Sequence, residues 1–292
     1  MFAIIGILVV FGAVASGYLM EKGNMLVLLQ PAELLIILGA AIGTVLISNP
    51  PHILKQILAG IAGAFGGSKY NSKCYLDSLK MMYDLFTRAR KDGLPTLEAD
   101  VEEPSKSKIL AAHPAFLKDH HACAFVCDTL RAVTSGTMEP FDLDQMMESD
   151  MDVHHQGARA PVASLTTMAD SLPGLGIVAA VLGVVITMGA LGGPPEEIGH
   201  KVAAALVGTF LGILLCYGLV GPLASSMDKL ADDEHAFYNV LRVTITAFVK
   251  GVPPILAVEV GRRSVPGHVR PSFKDLESAC RNRGAGPQAA AA

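Results

Sequence analysis

Four stretches of this chain run long enough without an ionised side chain to cross a lipid bilayer, and that feature limits the fold more than any other. A hydrocarbon core about 30 Å thick takes roughly 20 apolar residues as helix. Inside lipid each backbone N–H and C=O must find its partner within the protein, which favours helices. The first stretch is Phe2 to Met20, the second Leu34 to Asn49, the third Leu172 to Leu191 and the fourth Val202 to Met227. The second is short, ends at Pro50-Pro51 and leans on Pro31-Ala32 beside it. Gly192-Gly193-Pro194-Pro195 must turn the chain between the third and the fourth. Charged residues make up 17% of the chain, against about 25% in a soluble domain. Tryptophan is absent, so an aromatic belt at the membrane surface falls to Tyr and Phe.

Charge sets the expected orientation. The chain has 23 Lys and Arg, and all but Lys22 and Lys201 lie between the two hairpins or after residue 228. Basic residues near a membrane stay on the cytoplasmic side, so both large segments and both termini are expected inside. The expected fold class is an all-α membrane protein with four transmembrane helices. A helical cytoplasmic insert separates spans 2 and 3, and spans 3 and 4 continue as cytoplasmic helices. The corresponding division is a transmembrane hairpin over 1–49, a cytoplasmic helical domain over 50–169, a second hairpin over 170–228 and a cytoplasmic tail over 229–292. The last dozen or so residues, ending GAGPQAAAA, have a disordered composition. Ala13-Val14-Ala15 mimics a signal-peptide cleavage site, but a basic region should precede it. None does, and cleavage is not expected. The five cysteines form no CxxC pair, which does not read as a disulfide framework.

Within the insert, Ile53, Leu54, Ile57, Leu58, Ile61 and Phe65 recur at the spacing of a helix lying in the membrane interface. Leu76, Leu79, Tyr83 and Phe86 form the stripe of a second helix, ending near Gly93. A third is expected from Pro114 to near Gly136. A fourth follows Glu139-Pro140, and from Val162 the chain runs straight into the third span. Residues 228–249 extend the fourth span, before Gly251 and Pro253-Pro254.

The interior of the spans constrains function by what it lacks. Glu33 sits at the edge of the second, Asp170 at the entry to the third, and Lys201 and Asp228 bracket the fourth. A chain that carried ions alone would need a site of changeable charge within the bilayer. If ions cross here, another chain is expected to supply the carboxylate. The polarity that remains is Thr44, Thr187, Thr209 and Tyr217. Such hydroxyls satisfy a carbonyl of their own helix, or they line a path, and Thr209 and Tyr217 lie near one helical face. Pro173 and Pro222 are kinks near helix ends or hinges that move the cytoplasmic part. Gly39-x-x-x-Gly43, Gly208-x-x-x-Gly212 and the face Gly174, Gly176, Ala180, Gly183 let backbones approach closely. They hold one chain's helices together, or they meet a ring neighbour or partner.

Other patterns carry less. His120-His121-x-Cys123-x-x-x-Cys127 has a zinc-like look, yet 116–130 is a good apolar stripe in which buried Cys acts as a small hydrophobe. His154-His155, near the acidic run 142–152, is weaker still. No P-loop, GxSxG, HExxH or paired catalytic carboxylates occur, so nothing argues for an enzyme. A net charge of -4 gives no reason to expect nucleic acid. The mixed charges Arg88, Arg90, Lys91, Asp92, Glu98, Asp100, Glu102 and Glu103 around Gly93 make a solvated loop or a surface for a charged partner.

Three long stretches carry a resemblance: Asp170-SLPGLGIVAAVLGVV, Val207-GTFLGILLCYGLVGPLA, and PPILAVEVGRR followed by RPSFKDLE. With the turn TRARKDG and two spans on each side of a large insert, they resemble the MotA family of flagellar motor stator subunits, over nearly the full chain. The resemblance implies a multi-pass protein of the bacterial inner membrane that forms a pentameric ring around two MotB chains. MotB would supply the ion-carrying Asp, and the ring would work against the rotor protein FliG. It implies rotor-facing roles for Arg90 and Glu98, conformational coupling through Pro173 and Pro222, and an ion route near Thr209 and Tyr217. Sodium-driven members look to have Thr where this chain has Ala180, and sodium needs several oxygen ligands. Proton coupling without a cofactor or metal is therefore expected. The nearest rival is an energiser of the ExbB or TolQ type, whose three spans and outside N-terminus fit the charge pattern less well. A passive membrane scaffold is the second rival, and a solitary transporter, against which the empty spans speak, is the third.

Overall fold

The computed structural model describes residues 2–136, 138–189, 192 and 194–281. Gly193 of the expected turn, the end of the expected third span and the expected disordered tail after Arg281 lie outside the described residues. Among those described, every regular element is helical. The α-helices in order are α1 (Phe2–Met20), α2 (Met25–Leu28), α3 (Pro31–Ser48), α4 (Pro51–Gly66), α5 (Ser72–Asp92), α6 (Glu98–Glu102), α7 (Pro114–Lys118), α8 (His120–Thr134), α9 (Pro140–Met188), α10 (Pro195–Leu215), α11 (Gly221–Val249), α12 (Pro254–Ser264) and α13 (Phe273–Arg281), with short 3-10 turns at Leu94–Leu97 and Leu110–Ala112 and a π turn at Cys216–Val220. Four helices among them are long and apolar enough to cross a membrane, judged by length and composition.

Local chemistry explains most boundaries. Pro31 and Pro51 stand at the first helical positions of α3 and α4, where proline's missing N–H costs nothing. The Asn71 side chain accepts from the Cys74 N–H at 3.0 Å and starts α5. Gly93, at φ +93°, ends it in a conformation open to glycine. The helix expected from Pro114 to Gly136 is broken at Asp119. Its carboxylate caps Ala122 N–H at 3.4 Å, accepts from the Tyr70 hydroxyl at 3.1 Å and pairs with Lys69 at 2.9 Å. That demand on one side chain pulls it out of helical geometry, and α8 begins afresh.

The chain forms two compact units, each made of two separate segments. One comprises residues 1–67 with 156–231, the other 68–155 with 232–292. The first buries Ile37, Ala41, Leu165, Leu172, Ala179, Cys216 and Ala224. The second buries the α5 stripe Tyr75, Leu79, Met82 and Phe86 with Leu130, Phe237, Leu241 and Ile245. Phe86 and Phe248 stack with ring centroids 4.1 Å apart. Each such buried ring stabilises by about 1.5–3 kcal/mol relative to exposure.

Candidate functional site

In the first unit, α9 and α10 meet along glycines. A Cβ added to Gly176 would lie 2.8 Å from the Gly208 carbonyl oxygen and 3.3 Å from the Thr209 Cα. One added to Gly212 would lie 2.5 Å from the Leu172 oxygen. Only glycine permits this approach, which maximises dispersion contact where no water drives association. The seam brings together two of the expected ion-path residues. Ala180 N lies 3.2 Å from a Cβ built on Gly208, next to Thr209, and both residues are half-buried. Thr209 makes no side-chain hydrogen bond among the described residues, whereas Thr187 donates to Gly183 at 2.8 Å and Thr44 to Ala41 at 2.8 Å. Those two hydroxyls serve their own helices. Gly176, Gly183, Gly208 and Gly212 thus hold one chain together, while a Cβ at Gly39, Gly43 or Gly174 would meet nothing within 4 Å.

Tyr217 does not join the seam; it stands 74% exposed. It belongs to a π turn, Cys216–Val220, closed by the Gly221 N–H reaching back five residues to the Cys216 oxygen. Pro222 follows directly. Its ring blocks the carbonyl of Gly218 and it has no N–H to offer, so the preceding turn widens. Pro222 also borders a largely apolar cavity of about 360 Å³, shared with Gly6, Ile7 and Val10 of α1 and Ser226 of α11. Pro173 lies inside the continuous α9 together with Pro161, and its missing N–H deprives the Ala169 carbonyl of a helical partner.

In the second unit the charged stretch around Gly93 separates into two sets. Asp100 faces inward beside Leu97 and Val101, 2% exposed. It accepts from Arg88 Nη1 at 2.7 Å and from the Ser107 hydroxyl at 2.6 Å. Glu102 pairs with Arg131 at 2.8 Å and Glu103 with Lys106 at 2.8 Å. Arg90 and Glu98, by contrast, are exposed on either side of the turn and form no ion pair among the described residues. Arg90 borders a shallow cavity of about 300 Å³ with Lys91, Tyr83, Thr87, Pro254 and Ile255. The inward role of Asp100 was missed in the sequence. Its only signal is that Leu97, Asp100 and Val101 share helical spacing.

Glu259 is a second residue that sequence reasoning did not single out. It accepts from Arg262 Nε at 2.7 Å and from Arg263 Nε at 2.9 Å. The Arg262 guanidinium first, then Arg263, hold its carboxyl at about 2. Arg262 also donates to the Pro271 carbonyl at 3.0 Å, tying the tail motif down. The zinc-like pattern is split by burial: His120 and His121 are exposed, Cys123 is half-buried against the core and Cys127 lies in it. The Cys123 and Cys127 sulfurs are 4.0 Å apart, and burial pushes the Cys127 thiol up to about 12. That disfavours the thiolate a metal would take. His154 instead approaches Glu234 at 3.5 Å.

Four helices long and apolar enough to cross a membrane, two of them meeting along a glycine seam, together with a separate helical unit, fit a multi-pass membrane protein. Residues 4–93 match the model of the motility protein A N-terminal family, and residues 118–239 match that of the MotA/TolQ/ExbB proton channel family. The chain is 40% identical to Motility protein A of Escherichia coli (strain K12), over 95% of this chain and 94% of that protein. It is 35% identical to Chemotaxis protein LafT of Vibrio parahaemolyticus, over 94% and 96%. In fold it is similar to a chain of C. jejuni MotAB, with TM-score 0.76, 19% identity and coverage of 93% and 98%. It is likewise similar to a chain of the flagellar MotAB stator complex from Bacillus subtilis, with TM-score 0.73, 24% identity and coverage of 95% and 98%. The chain therefore belongs to the MotA/TolQ/ExbB proton channel family, within its motility protein A group.

Proposed function

We propose that this chain is a stator subunit of the bacterial flagellar motor, forming with MotB a proton channel that converts ion-motive force into torque. The observation that carries this reading is the 40% identity to a Motility protein A across 95% of the chain. Two solved MotAB complexes of the same fold support MotB as the partner and an oligomeric assembly. The family is a proton-channel family rather than an enzyme family.

The finer reading places both termini, the 50–169 insert and the 229–292 tail in the cytoplasm, between and after hairpins at 1–49 and 170–228. Basic residues in the segments assigned inside support it. Five copies surround two MotB chains, whose carboxylate carries the ion. Ala180 and Thr209 border that route at the α9–α10 seam, with Tyr217 toward a neighbour. Ala180 adds no oxygen to the route, which suits a proton better than sodium. Pro173 and Pro222 convert ion binding into movement, and Arg90 and Glu98 meet the rotor protein FliG.

Deleting the gene tests the function. Intact filaments that stop turning, restored by a plasmid-borne copy, are the expected result. Normal swimming in a strain without a second stator would overturn the reading. A wild-type motor that halts when sodium is withdrawn would overturn proton coupling alone.

A further inference from the structure

Read from the sequence, Glu33 sits at the edge of the second span. The apolar segment long enough to cross a membrane runs from Met25 to Ser48, over α2 and α3, and takes Glu33 within it. Glu33 is the third residue of α3, after Gln30 at the cap and Pro31 at the first position. A glutamate there ordinarily reaches back to the cap backbone N–H. Instead Glu33 lies on the buried stripe of α3 with Ile37 and Ala41, and it keeps 9% of its surface. Ile37 and Ala41 are fully buried. The Glu33 Oε2 is buried with no hydrogen-bond partner. A buried carboxylate oxygen without a donor is costly. Ionisable groups at membrane depth are rare and mark ion pathways.

We propose that Glu33 is a proton-binding station that this chain itself contributes to the channel. Its carboxylate takes a proton from water at the outer end of α3 and returns it to the next acceptor along the route, so nothing is oxidised or reduced. The inference rests on the reading of the chain as a proton-channel subunit with α3 beginning at the outer face. It adds a carboxylate to a path in which the partner otherwise holds the only one.

The test uses the full chain with its partner, expressed in cells that lack their own stator. Glu33→Gln keeps the shape and cannot carry a proton; Glu33→Asp keeps the acid on a shorter arm. The expected result for E33Q is normal accumulation in the membrane with slower rotation, and a shift of the half-maximal external pH toward acid. E33D should rotate with a smaller shift of the same sign. A purely structural role predicts instead that E33Q, a neutral isostere of a buried unpaired charge, assembles as well or better and rotates at wild-type speed with an unshifted pH dependence. Wild-type speed for E33Q at every external pH would overturn the proposal. If E33Q does not accumulate, E33D decides: a shifted pH dependence supports the station, and an unshifted one overturns it. Failure of the wild-type chain to rotate would instead overturn the stator reading beneath it.

Discussion

Arg88 and Arg90 are separated by one residue and do different work. Arg88 leaves the helix surface to hold Asp100, whose side chain is 3% exposed, while Arg90 faces solvent. Replacing Arg88 with Ala strands a buried carboxylate on Ser107 alone. The expected loss is about 2–3 kcal/mol, in line with hydrogen bonds to charged groups. Arg90→Ala and Glu98→Ala should each stay within about 0.5 kcal/mol in stability, as exposed substitutions do, while lowering torque. Thermal unfolding in detergent, set beside swimming speed, separates the two classes. Glu259 gives a pH counterpart. Its folded carboxyl is held at about 2, below its ordinary value of 4.5. The stability it contributes is fully present above pH 4.5 and is lost as pH falls through 2. Glu259→Gln should therefore cost most stability above pH 4.5 and flatten the acid limb in that window, so that the two chains converge as pH falls toward 2. An acid titration followed by circular dichroism would read this directly. Arg90 and Glu98 came to notice through a family motif. Asp100 did not, because its partners Arg88 and Ser107 stand twelve and seven residues away on other elements, a pairing that no local spacing encodes.

Among the elements, α9 and α10 depend on glycine, and α1 does not. At Gly6, Gly12 and Gly17 of α1 an added Cβ would meet nothing. Gly212→Val should overpack the seam against the Leu172 carbonyl and cost about 1–3 kcal/mol, visible as a lower melting temperature of the purified chain. Gly39→Ala should leave the melting temperature of the separated subunit unchanged or slightly raised, since a helical alanine reduces unfolded-state freedom. If α3 packs against a ring neighbour, the same change should weaken the ring on native gels. Pro222→Ala acts on the π turn. Alanine is about 3 kcal/mol better than proline inside a helix, so the regular helix should return over Cys216–Val220. The expected outcome is a complex that assembles normally and produces less torque. The membrane helices were legible in the sequence because bilayer thickness imposes a length and an apolar composition that few other folds satisfy. The split at Asp119 was not. Asp119 looks like any polar residue on a helix face until Lys69, Tyr70 and the α8 backbone all compete for its oxygens.

The whole molecule is two units, each assembled from segments that are far apart in the chain. The hairpin of α1 and α3 belongs to a unit whose remaining helices come from residues 156–231, and the other unit interrupts it. Loop closure over such distances costs entropy that grows only slowly with length, so the equilibrium fold tolerates the arrangement. Synthesis does not share that tolerance. A ribosome emits the chain in order, and when residue 155 has emerged neither unit is complete. The first hairpin waits in the bilayer until α10, against which α3 packs, arrives with the rest of residues 156–231. A nascent chain halted before residue 231 leaves both units incomplete and should therefore be degraded by membrane proteases faster than the full chain.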